Sequence, residues 1–124
     1  MTTEAQAKAR RIIQDLADTY EMLLSWLGER SPVQVENVNG STVLVINTRE
    51  CESIGRNVET PNLSAVYQSA HADMHMAASV TSWLAAGGDE EEARMIQELA
   101  VHRDRVLAAA EQARDAALKD HARN

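Results

Sequence analysis

The stretch TPNLSAVYQSAHADMHMAASVTSWLAA, residues 60–86, decides how this chain folds. Thr60-Pro61 is a helix start: a hydroxyl N-cap, then a proline whose missing N–H costs nothing in a first turn. Leu63, Tyr67, Ala70, Met74, Ala77, Thr81 and Leu84 follow at steps of four and three, the stripe of an amphipathic helix over 61–86. Val66, Met76, Ala78, Val80 and Trp83 widen that stripe. A helix apolar over so much of its circumference touches neighbours on more than one side, so it is expected at the centre of the fold.

Working outward, Gly87-Gly88 breaks the pattern, and Asp89 with Glu92 forms a cap and third-position carboxylate for another helix over 89–120. Its inner face is Met95, Ile96, Leu99, Val106, Ala110, Ala113 and Ala117, almost pure alanine after Leu107. Upstream, Thr3 with Gln6 makes a capping box, and Ala9, Ile13, Leu16, Tyr20, Leu23 and Leu27 form one stripe of a helix over 3–28, closed by Gly28 and Pro32. Between these helices, Val33 and Val35 alternate with polar residues, as do Val43 and Val45, around Asn39-Gly40. β-Branched alternation about Asn-Gly predicts a β-hairpin over 33–47. Residues 48–60 show no period and are expected to form a loop, with at most a helical turn at 51–54. The expected fold is therefore mainly α: one domain over 1–124, with three long amphipathic helices and a β-hairpin inserted between the first and second.

Composition sets the limits. Of 124 residues, 44% count as hydrophobic, but 20 are alanine, none is phenylalanine, and Val, Ile and Leu together number 25. Alanine favours helices yet buries little area, so a lean core completed by a second copy is expected: an oligomeric helical bundle. The net charge of −7 is spread evenly, −3 up to residue 62 and −4 after it. Gripping a phosphate backbone needs clustered cations, so no direct nucleic-acid binding is expected. No apolar run approaches the ~20 residues of a membrane span, and no signal-peptide core opens the chain, which predicts a cytoplasmic protein without membrane contact. The lone Cys51 excludes an internal disulfide and a Cys-based zinc site.

Several constellations are candidates for function. His71 and His75, four apart, share a helix face, but Ala72 stands where a zincin would need glutamate, and no metal or other cofactor is expected. Asp73 falls inside the apolar arc. If the helices fold back about Gly87-Gly88, residues whose numbers sum to about 175 face each other, which sets Asp73 beside His102 and Arg103. A buried carboxylate must be paired, so this trio reads as an ion pair fixing the register of the helix hairpin. The run Asp89-Glu90-Glu91-Glu92 reads as acid at a helix N-terminus. Met22 and Trp26 on the first helix, and Met76, Val80 and Trp83 on the second, lie outside the main seams, as an interaction surface or as the bed for the hairpin. Arg49 and Arg56 could clamp an anionic ligand, although Glu50 and Glu52 between them favour mutual neutralisation. Trp26-Leu27-Gly28 resembles the Trp-X-Gly turn of small type VII secretion substrates. That family's second helix and Tyr-X-X-X-Asp/Glu signal are replaced here by a hairpin and by Tyr67 followed by His71.

No Gly-rich phosphate loop, Ser–His or Cys–His set, or convergent carboxylates appear. The expectation is a non-enzymatic interaction module, an acidic oligomeric helical adaptor, inhibitor or regulator with a protein partner. The alternative is a small-ligand- or metal-binding protein using His71, His75, His102, Asp73 and the 49–56 segment.

Overall fold

The computed structural model describes residues 3–87 and 91–123: α1 (Thr3–Trp26), β1 (Val33–Val38), β2 (Ser41–Ile46), α2 (Thr48–Asn57), α3 (Pro61–Ala85) and α4 (Glu92–Arg123). The architecture is mainly helical with an antiparallel hairpin between the first two long helices. Three long helices stand where three were expected. The fourth, α2, replaces the expected loop. Asn47 caps it, its side-chain oxygen accepting from the Glu50 amide, and Cys51 and Ile54 are its buried residues. Thr48 through Asn57 therefore make a one-stripe amphipathic helix too sparse in apolar residues to stand out in the sequence. The Asp89 cap falls outside the described residues.

Gly28 ends α1 in a left-handed conformation, φ 75°. The Glu29 amide donates to Leu24 O and the Gly28 amide to Ser25 O, so two orphan carbonyls of the last turn are satisfied. In the hairpin, Asn39 (φ 53°) and Gly40 (φ 83°) both take positive φ, the turn whose twist matches paired strands. A two-residue turn makes Val38 and Ser41 a hydrogen-bonded pair, so the pairs Glu36–Val43 and Gln34–Val45 are also hydrogen-bonded. The amides and carbonyls of the alternate residues then point away from the partner strand. On β2 the Leu44 amide points outward in this way and donates to Thr81 Oγ1 of α3 at 3.0 Å. Helix α3 thus covers the outer edge of β2, while α1 packs against both strands and lies under their face.

The core is continuous. Ile13, Leu16, Tyr20, Leu23 and Leu24 of α1 meet Tyr67, Met74 and Ala77 of α3 and Ile96, Leu99, Val106, Ala110 and Ala113 of α4, with Leu44 and Ile54 at its margin. Two expectations change here. Helix α4, not α3, packs along both other long helices, because Ala109, Ala110 and Ala113 let neighbouring backbones come close. The alanine face, which a core completed by a second copy would leave open, is already buried within one protomer at Ala109, Ala110 and Ala113. One chain encloses its own core, so any case for self-association moves from the core to the surface. No described helix is long and apolar enough to cross a membrane.

Candidate functional site

Asp73 and His102 meet where α3 and α4 cross. His102 Nδ1 lies 2.6 Å from Asp73 Oδ1, and the side chains are 3% and 8% exposed, histidine first. The numbers sum to 175, the register read from the sequence. The second cation differs from the expected one. Arg105 Nη1 stands 3.6 Å from Asp73 Oδ1, while Arg103 reaches Asp15 of α1 (3.9 Å) and its neighbour Asp104 (3.3 Å). Helical geometry gives the reason: Arg105 is three residues from His102 and shares its face, whereas Arg103 is turned about 100° away, toward α1. His102 Nε2 is buried without a hydrogen-bond partner. Both side chains are buried between two packed helices, a geometry suited to fixing the helix register.

A second polar cluster forms between α2 and α3, which the sequence did not join. A half-open cleft of about 390 Å³ has Cys51, Arg56, Tyr67, Gln68 and His71 in its walls. Gly55 permits the close approach of the helices: a Cβ there would stand 3.1 Å from Gln68 Nε2. Tyr67 donates to the Cys51 carbonyl at 2.8 Å, stacks on His71 (centroids 5.8 Å apart), and His71 meets His75 edge-on at 4.5 Å. Burial raises the Cys51 pKa, so the sulfur is held as a thiol and is a poor nucleophile. Burial likewise pushes Tyr67 up to about 12 and raises Tyr20, whose hydroxyl makes no hydrogen bond despite lying within electrostatic reach of Tyr67 and Cys51. His71 is shifted down, by burial first and then by the His75 charge, and its Nδ1 is an orphan. Arg49 and Arg56 both sit exposed on α2, and among the described residues neither forms an ion pair.

The structure does not bring His71, His75, His102 and Asp73 into one site. Among the described residues no three His, Cys, Asp or Glu side chains are grouped to hold a metal ion. Of the acidic run, Glu91 accepts from Arg94 and Glu92 opens α4, while Asp89 and Glu90 lie outside the described residues.

The large apolar side chains outside the seams remain uncovered. Met22 and Trp26 are 41% and 38% exposed, Met76 and Trp83 52% and 41%, with Val80 half-buried between the last two. Strand β2 packs on α3, where the Leu44 amide donates to Thr81, and the space beneath the hairpin turn is lined by Ala9, Ile13 and Leu84. No known family, curated protein or solved structure matches this chain.

Proposed function

We propose that this protein is a non-enzymatic interaction module, an acidic helical adaptor or inhibitor that acts through its surface and self-associates. One observation carries the reading: Met76, Val80 and Trp83 stand at i, i+4 and i+7 on α3, and Met76 and Trp83 are 52% and 41% exposed. That spacing is how one helix face anchors in an apolar groove, and Trp is enriched among residues that dominate binding energy. With a net charge of −7, the fitting partner is a protein whose groove is rimmed by basic groups. A reducing compartment such as the cytoplasm suits a lone thiol that is 2% exposed.

The test is a Met76→Ser/Trp83→Ser double variant, checked for an unchanged melting temperature. A partner captured by the wild type is purified and rebound to both proteins. Affinity at least about tenfold weaker for the variant supports the reading; equal affinity overturns it.

A second reading, binding of a small anionic ligand, draws support from the α2–α3 cleft, which Arg56 of α2 and His71 of α3 line together with Glu52. A thermal-shift screen of phosphate and carboxylate compounds, repeated on Arg56→Ala, tests it. Stabilisation that the variant loses favours this reading over the first.

A further inference from the structure

The two edges of the hairpin differ. Helix α3 covers the outer edge of β2 through Thr81, but β1 packs on β2 and α1, and four of its six residues are exposed. The hairpin phase aims the backbone groups of Val33, Val35 and Asn37 outward from β1. Of these groups, the Val33 amide alone has a partner among the described residues, Ser31 Oγ at 3.3 Å. Pro32, which has no amide to give, stands in the opposite phase: its carbonyl accepts from Asn47 on the β2 side. Within β1 there is neither a lysine nor a proline, and Glu36 is its single charged residue, so the edge opposes only those pairings that set Glu36 against another acid.

We propose that the outer edge of β1 is the self-association surface, pairing antiparallel with β1 of a second copy to make a four-stranded sheet. The inference rests on the self-association in the reading above and names where it occurs. Symmetric antiparallel pairing needs outward groups opposite outward groups, which restricts the register to odd residues facing odd residues. Two such registers overlap over five strand residues. One sets Glu36 against Glu36 of the other copy, which is repulsive. The other centres on Val35, sets each Gln34 opposite the other copy's Glu36, and sets Val33 opposite Asn37. Charge selects the second. It forms two bonds between the Val35 residues and one from each Asn37 amide to the other copy's Val33 carbonyl, leaving the Ser31 contacts intact.

Two experiments decide it. Gln34→Cys and Glu36→Cys proteins are mixed and oxidised; Cys51 is 2% exposed and stays out of the reaction. The mixture is expected to form a disulfide-linked dimer faster than either variant alone. Equal rates would overturn the register. Sedimentation equilibrium on the full chain then compares Gln34→Glu with Gln34→Lys, both at an exposed position. Two symmetry-related cross-strand pairs should shift Kd by roughly 2- to 30-fold, weaker for glutamate and tighter for lysine. A dimer indifferent to both changes overturns the β1 edge and leaves self-association standing through another face; a chain monomeric at every concentration overturns both.

Discussion

Replacing Asp73 with alanine probes a buried polar pair that locks α3 to α4. The carboxylate is 6% exposed and sits 2.6 Å from His102 Nδ1, on a residue only 2% exposed. Its removal leaves both His102 ring nitrogens without partners, since Nε2 has none already. A buried polar group stripped of its bond costs about 1–3 kcal/mol, and the vacated volume adds about 1 kcal/mol. Arg105 contributes little, because its side chain is 63% exposed and water screens its 3.6 Å contact. The expected loss is about 3 kcal/mol, at the low end for breaking a buried pair. With an unfolding entropy of about 2.1 cal/mol/K per residue over 124 residues, this lowers Tm by about 12 °C. Asp73→Asn keeps an oxygen acceptor and should lose only about 1 kcal/mol. Urea unfolding followed by circular dichroism measures both. A loss below about 0.5 kcal/mol for the alanine variant would refute the pairing and the helix register with it.

Other consequences follow from the same structure. Thr81→Val removes the acceptor of the Leu44 amide and should cost about 1–2 kcal/mol; amide exchange at Leu44 should speed up while α1 core amides hold. His71 has a folded pKa below its ordinary 6.5. The unfolded chain therefore binds the extra proton first, and the His71 contribution is complete above pH 6.5 and lost as pH falls below it. Urea titrations at pH 7 and 5.5 should show a larger drop for wild type than for His71→Gln; equal drops would contradict the burial of that ring. At the alkaline end, Cys51 and Tyr67 have folded pKa values raised above 9.0 and 10.0, Tyr67 to about 12. Stability should accordingly fall as pH rises past about 9, and the native thiol should react with a disulfide reagent only as fast as the fold opens.

How much of this could be read from the sequence depended on whether the signal was periodic. The stripes of α1, α3 and α4 were legible because Leu16 and Tyr67 sit on unbroken 3–4 spacings and Leu99 on a stripe interrupted only at His102, and the hairpin because Asn39-Gly40 favours one turn. Helix α2 was missed, although Asn47 with Glu50 three residues later is a capping signature. Its buried residues, Cys51 and Ile54, are too few to show a period. The Asp73–His102 contact followed from folding two helices back on each other, yet that sum rule fixes height along the helix, not rotation about it. Rotation separates Arg105 from Arg103. The α2–α3 cleft was invisible for a related reason: Cys51 and His71 are twenty residues apart and belong to two elements, one of which the sequence does not reveal as a helix. The expectation of a core completed by a second copy weighs alanine only by the area it buries. At Ala110 and Ala113 its value lies in letting α4 approach its neighbours closely enough to seal the interior.

This chain is expected to associate with a second copy of itself through its surface. Size-exclusion chromatography with multi-angle light scattering, run from about 1 to 200 µM wild-type protein, addresses it most directly. The predicted mass rises with concentration toward about 27 kDa, twice the 13.6 kDa of one chain. A mass fixed at 13.6 kDa across that range would contradict the claim.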